Sequence, residues 1–220
     1  MGSITRSFAN NIGSSGILVA SAVTNATVED VTAFGTAPSP ATLVLISTQT
    51  ASSSANISFT TGLDSTYDEY IFKFINIHPA TDASEFQFNM STDSGSNYNV
   101  TKTTTFFRAY HDEADTTTTL QYLADSDLAQ STSYQRILRE IGNDNDQSAS
   151  GTLTLFNPSS TTYVKHFIAT GNASTDGNFT MNYFVAGYGN TTSAVNAIDF
   201  KMSSGNIDDG IIKLYGVKKS

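Results

Sequence analysis

The side chains of this 220-residue chain whose types could do chemistry fall into three groups: three histidines, two acidic loops and a few tyrosines near loops. His78, His111 and His166 are far apart, and none belongs to an HxH or HxxxH pair, the spacings that place two imidazoles on one metal. His111 is followed by Asp112, Glu113 and Asp115, a cluster that reads first as a solvated turn. Each histidine is therefore expected to be structural. Calcium needs several carboxylate, amide and carbonyl oxygens on a flexible loop. Asn143, Asp144, Asn145 and Asp146 are the candidate metal ligands on that ground, with Asn206, Asp208 and Asp209 as a second loop. Neither run has the fixed ligand offsets and closing Glu of an EF-hand. Both are expected to be polar turns between strands, and no metal or other cofactor is expected. Tyr98, Tyr122 and Tyr188 are the candidate ligand-binding residues, because an aromatic face stacks on the apolar face of a sugar while nearby Asn and Asp accept its hydroxyls.

Catalytic signatures are missing. There is no GxSxG nucleophile elbow, and Gly13-Ser14-Ser15-Gly16 lacks the Lys and the strand that make a phosphate-cradling loop. A glycosidase needs two carboxylates about 5 to 10 Å apart across a cleft. The acids here concentrate in turns, and there is no Trp to build a sugar platform. The chain is not expected to be an enzyme.

Composition narrows the class further. Net charge is −9 with 11 Lys plus Arg and no basic run, which argues against binding duplex nucleic acid through its phosphates. An acidic surface repels anionic membranes as well, and no apolar run approaches the roughly 18 to 20 residues of a spanning helix. Zero cysteines remove disulfides, zinc thiolates and thiol nucleophiles together. MGSITRSF has one Arg and no apolar core with a cleavage site, so no signal peptide is expected. The expectation is a soluble protein made in the cytoplasm.

Only 14% of residues are charged, and abundant Thr, Ser, Asn and Gly favour strands and turns over surface helices. Met1 to about Pro40 is small, polar and weakly periodic, and reads as an arm with short strands near Gly16–Val23 and Thr27–Phe34. The division is thus an N-terminal arm over 1–42 and a sandwich domain over 43–220. From Leu43 onward strand signals recur every ten to fifteen residues, the spacing of a β-sandwich or jelly roll. They fall at Leu43–Ser47, Ala55–Thr60, Glu69–Ile77, Glu85–Ser91, Thr103–Tyr110, Gly151–Asn157, Tyr163–Thr170 and Phe179–Tyr188. Ala197–Met202 and Gly210–Val217 flank a Ser-Gly-Asn-Asp-Gly turn region and read as a closing hairpin. Within Tyr70–Ile77, the parity Tyr70, Phe72, Phe74, Asn76 should face the core, with Ile71, Lys73, Ile75, Ile77 on the wetter side. Asp112–Ser133 reads as a surface excursion with one helical turn near Leu120–Leu123.

Phe200–Val217 (FKMSSGNIDDGIIKLYGV), Gly62–Pro79 (GLDSTYDEYIFKFINIHP), Phe106–Glu113 (FFRAYHDE) and Asn143–Pro158 together resemble the β-rich virion structural proteins of tailed bacteriophages, especially marine ones. The resemblance runs from about Leu43 to the terminus. It implies an all-β, jelly-roll-like antiparallel β-sandwich with an extended N-terminal arm for attachment, in a symmetric homo-oligomer such as a trimer. It also implies location in the virion, with other virion proteins as partners: the major capsid protein or a tail protein. Tyr134–Ile141 (YQRILREI) has apolar residues at helical spacing, 134, 137, 138 and 141, but the resemblance places it in the β-domain and favours a strand. Heptad, collagen-like and β-helical shaft repeats are absent, which suits a short module better than an extended fibre. The expected role is capsid decoration or cementing, and the alternative is a tail or fibre-tip module that recognises host surface glycan. The sequons at Asn25, Asn56, Asn99, Asn172, Asn178 and Asn190 follow from composition, and the resemblance implies no glycosylation.

Overall fold

The structure is a computed structural model that describes residues 42–219. The expected arm strands lie outside the described residues. Twelve strands follow in chain order: β1 (Leu43–Ser54), β2 (Ile57–Phe59), β3 (Glu69–Pro79), β4 (Ser84–Ser91), β5 (Lys102–Asp112) and β6 (Thr118–Tyr122). They continue with β7 (Gln135–Ile141), β8 (Ala149–Phe156), β9 (Lys165–Ser174), β10 (Phe179–Gly189), β11 (Ala197–Met202) and β12 (Ile207–Val217). Among the described residues there is no helix. The strands form an eight-stranded sheet, in the order β1-β12-β3-β8-β9-β10-β5-β6, and a four-stranded sheet, β2-β11-β4-β7. Every pairing is antiparallel, so the chain is an all-β sandwich of two unequal antiparallel sheets.

The sheets meet through aromatic side chains that alternation places on their inner faces. Phe200 on β11 is fully buried. Its ring lies 5.3 Å from both Phe72 and Phe74 of β3, in the large sheet. It lies 5.7 Å from Phe86, 6.4 Å from Phe88 and 6.2 Å from Phe59 of its own sheet. Edge-on and tilted contacts prevail, the geometry that the ring quadrupoles favour.

Three expectations are corrected. Ala197–Met202 and the final strand are not a hairpin: β11 pairs with β2 and β4, whereas β12 pairs with β1 and β3 in the other sheet. Ser203–Asn206 is therefore a corner between sheets. Ser84 Oγ donates to Ser204 O at 2.9 Å and Asn206 Nδ2 donates to Ser53 O at 2.8 Å, which ties the corner to both layers. A Ser-Gly-Asn signal marks a change of direction and carries no information about the partner. The second correction concerns β3, whose core parity holds for Tyr70, Phe72 and Phe74 and then inverts, leaving Asn76 exposed and Ile77 buried. Asn76 adopts φ 51°, and the register with β8 and β12 shifts there, as at a β-bulge. Gly210 of β12 passes over that bulge with φ 134°, and a Cβ on it would lie 3.0 Å from Asn76 O. Third, the turn expected near Leu120–Leu123 is the strand β6, paired with residues 107–111 of β5. Asp112 organises the connection, its Oδ1 accepting from the backbone of Thr116 and Thr117 at 2.8 Å each.

Tyr134–Ile141 is the expected strand from Gln135 onward, paired with β4. Its helical spacing has a local cause. The register with β4 shifts between Phe86 and Gln87, which buries the neighbours Ile137 and Leu138 together, and it shifts again between Ser84 and Phe86, near Glu140 with φ 55°, before Ile141 is buried.

Phe200→Ala should lower the unfolding free energy by about 3 to 5 kcal/mol, the usual cost of emptying a fully packed aromatic site. Urea denaturation of the two proteins measures it. A loss under about 1 kcal/mol would mean the sheets are held together elsewhere.

Candidate functional site

The outer face of the eight-stranded sheet is where exposed side chains with recognition chemistry collect. Strand register aligns them in rows. One row crosses the sheet as Leu45, Tyr215, Ile71, Thr154, Ile168, Ala186 and Thr105. The next runs Tyr122, Phe107, Phe184, Thr170, Thr152, Lys73 and Lys213. Phe107 and Phe184 stack at 4.9 Å with planes 9° apart, and Phe107 is still 38% exposed. Lys73 and Lys213 oppose each other directly, an unfavourable pairing that the Tyr215 ring, 5.5 Å from Lys73 Nζ, partly offsets.

Two adjoining hollows indent this face toward one end of the strands. The first, of about 500 Å³, is lined chiefly by Thr103, Thr105, Ile168, Ala186 and Tyr188. The second, of about 470 Å³, is lined by Asn157, Ser160, Thr162, Tyr163 and Thr192. Phe156 and His166 line both, so the two make one trough. His166 and Tyr188 meet at 6.1 Å, with ring planes 61° apart.

Of the sequence-predicted tyrosines, only Tyr188 lies in the trough. Tyr122 is on the edge strand β6, where its hydroxyl donates to Asp127 at 2.5 Å and that carboxylate pushes the phenol pKa up. Tyr98 is in the β4–β5 connection, where its carbonyl accepts from Asn89 Nδ2 at 2.6 Å. The three do not form one site. His78 turns its Nδ1 to Gln147 O at 2.8 Å, and His111 pairs with Asp115 at 3.1 Å on an exposed turn. The aromatic trough was legible only through Tyr188. His166 and Phe156 join it through strand register and Tyr163 through the β8–β9 connection, neither of which composition reveals.

The two acidic loops do converge. Asn145 and Asp146 of the first and Asp208 and Asp209 of the second line a single polar hollow of about 440 Å³, with Asn76 and His78. The first loop is tied to the β3–β4 connection, where Asn143 N donates to Asp82 Oδ1 at 3.2 Å, and within itself, where Asp144 N donates to Gln147 Oε1 at 3.1 Å. Asp208 Oδ1 accepts from Ser53 Oγ at 2.9 Å. Among the described residues no three His, Asp or Glu side chains stand close enough to share one metal ion.

Sequence reading passed over the charged groups that the fold encloses. Arg139 Nη1 contacts Asp125 Oδ1 at 3.0 Å, and its Nε stands 3.1 Å from Glu85 Oε1, misaligned for a hydrogen bond. Arg136 Nε meets the same Glu85 at 2.6 Å, and Arg108 Nη1 meets Glu140 at 2.7 Å. These pairs join β4, β5, β7 and the β6–β7 connection, and they read as structural. Asp199 is buried on β11 without a basic partner among the described residues; Ser58 Oγ, Asn56 Nδ2 and Tyr134 Oη donate to it at 2.5, 2.7 and 2.9 Å.

Lys102 and Lys165 are buried on either side of Gly189, its cross-strand partner on each flank. A Cβ on Gly189 would come within 2.8 Å of Met90 Cε and 3.0 Å of Val100 Cγ1, so a larger residue there would require those side chains to shift. Lys102 Nζ donates to Asn89 Oδ1 at 2.5 Å and Val100 O at 2.8 Å; Lys165 Nζ donates to Tyr163 O at 2.6 Å and Thr191 O at 3.2 Å. Burial lowers the pKa of both ammonium groups, that of Lys102 to about 7.

The fold and surface define a β-sandwich with one wide, open, partly apolar sheet face. Compared with known proteins, the chain matches no family model, no curated protein and no solved structure.

Lys102 predicts a pH dependence. Below about pH 7 it is charged in both the folded and unfolded chain, and the burial penalty is fully present. Between about 7 and its ordinary value near 10.5 the unfolded chain holds the extra proton, so stability rises with pH. Burial raises the Tyr183 and Tyr134 phenols, which act in the opposite sense only above about pH 10. The urea midpoint should therefore increase from pH 7 to pH 9.5, and Lys102→Met should flatten that increase. An unchanged slope in the variant would remove Lys102 as its source.

Proposed function

We propose that this chain is a non-enzymatic structural protein of a tailed-phage virion that decorates the capsid as a homo-oligomer, such as a trimer, and stabilises it. The observation that carries the reading is the open outer face of the large sheet. Leu45 and Ile168 are each about half exposed and lie in one row with Tyr215 and Ile71. A contiguous apolar strip on a sheet face marks a contact surface more than scattered exposed residues do. Decoration stabilises a lattice by covering such surface at places shared between subunits. In this reading the face contacts the major capsid protein or a neighbouring copy, and the arm over 1–42 attaches the module.

A second reading, a tail or fibre-tip module that recognises host surface glycan, is favoured by the trough containing Tyr188, His166 and Tyr163. The two readings differ in what loss of the protein does. Particles without a decorating protein lose heat and osmotic stability and keep adsorption; particles without a receptor-binding module do the reverse.

Immunogold labelling of purified virions is expected to place the protein over the head. Labels confined to the tail would overturn the decorating role. Leu45→Lys with Ile71→Lys should cut occupancy on particles at least tenfold with an unchanged circular dichroism spectrum, and deletion of Met1–Pro40 should abolish attachment while the sandwich stays folded. Full binding by both variants would discard these surfaces as the attachment sites.

A further inference from the structure

We infer that the trough on the outer face of the eight-stranded sheet is a binding site for a neutral oligosaccharide. This rests on the second, glycan-recognising reading above and gives it a site and a ligand class. Three observations support it. The first is charge. In a chain of net charge −9, no Asp, Glu, Lys or Arg among the described residues lines either hollow. The nearest carboxylate in register, Glu69 opposite Phe156, lines a separate hollow with Lys218 and Lys219. An acidic polysaccharide would lack a counter-charge here and would meet the repulsion of the acidic surface around it.

The second observation is the mixture of surfaces. Tyr188, His166, Phe156 and Tyr163 supply aromatic area along the trough, and Tyr163 is 70% exposed. A pyranose ring presents an apolar C–H face and a rim of hydroxyls. Side chains with an apolar body and a polar tip match both at once.

The third is available hydrogen bonding. The backbone of β9 and β10 is spent on the ladder between them, so polar recognition falls to side chains. Thr103 Oγ1 accepts from Gln130 N and Nε2 at 3.2 and 2.8 Å, and Ser160 Oγ accepts from the backbone of Thr162 and Tyr163 at 3.2 and 3.1 Å. Both hydroxyls are thereby fixed in place as acceptors and keep an O–H to donate. Neutral donors and acceptors beside aromatic surface, in hollows of several hundred Å³, fit a chain of a few uncharged sugars.

The test is affinity electrophoresis of the full chain through native gels cast with neutral glucan, mannan or galactan, and with acidic alginate for contrast. At least one neutral polymer is expected to retard the protein. Tyr188→Ala and Tyr163→Ala should each weaken that retardation at least tenfold, and Tyr215→Ala, on the same face away from the trough, should leave it unchanged. Circular dichroism confirms the fold of each variant, and exposed Tyr163 gives a change that does not open the core. Retardation by alginate alone, equal retardation of the two trough variants, or no retardation in any neutral gel overturns the assignment. Competition separates this from the reading beneath it. If excess free chain blocks particle adsorption while the neutral gels fail, the receptor role stands and the neutral trough falls; if it blocks nothing, the receptor role falls with it.

Discussion

The packing of Phe200 between the sheets is the interaction on which the rest of the molecule depends. The small sheet has four strands, and one of them, β2, is only three residues long. Its hold on the large sheet is a ring cluster centred on Phe200, which meets Phe72 and Phe74, while Phe59, Phe86 and Phe88 reach across to Phe72, Phe74 and Phe167. A cluster of rings whose contacts are mostly edge-on fixes distance and angle together, because each ring limits the rotamers of the next.

Burial at the end of that core has a polar consequence. Two lysines and one aspartate lie inside without a partner of opposite charge among the described residues, each hydrogen-bonded to neutral groups. Neutral acceptors answer the hydrogen-bond need of an ammonium but do not offset the loss of its hydration, so its charged form is disfavoured. Lys102 and Asn89 fasten the β4–β5 connection to the strand ends: Asn89 Nδ2 donates to Tyr98 O and Thr132 O while its Oδ1 accepts from Lys102. These contacts determine where two loops leave the sheet. A hydrophobic residue at 102 would fill the space and would not hold them.

How much of this was legible in the sequence depends on whether the signal was local. Strand spacing located most of the elements, and the turn residues located the corners. Alternation in β3 was readable until Asn76, whose positive φ inverts it, and two register shifts against β4 gave β7 its helical spacing by burying Ile137 and Leu138 together. A single bulged residue leaves composition untouched and shifts every side chain after it to the opposite face. Partnership was the other illegible quantity. Ala197–Met202 and Ile207–Val217 are close in sequence and belong to different sheets, because a four-residue corner joins layers as readily as it joins neighbours. The trough suffers from both: His166, Tyr188 and Phe156 come from β9, β10 and β8, and only register brings them together.

The outer face carries a further constraint, visible where β5 and β10 run side by side. Phe106 and Tyr183 point inward and meet edge-on at 5.7 Å, and the very next residues, Phe107 and Phe184, point outward and stack at 4.9 Å. Both strands therefore show an aromatic on each face at the same level. A one-residue slip would exchange the pairs at little hydrophobic cost, so the aromatics cannot set the register. The polar residues must do so: a slip would drive the outward Thr105 inside and expel Lys102, with its two hydrogen bonds, to the surface. Fold specificity in this pair of strands thus comes from a buried lysine, and the outward stack is not needed for it. A stack that the fold does not require, on an exposed face, is consistent with the proposal that this face is a contact surface.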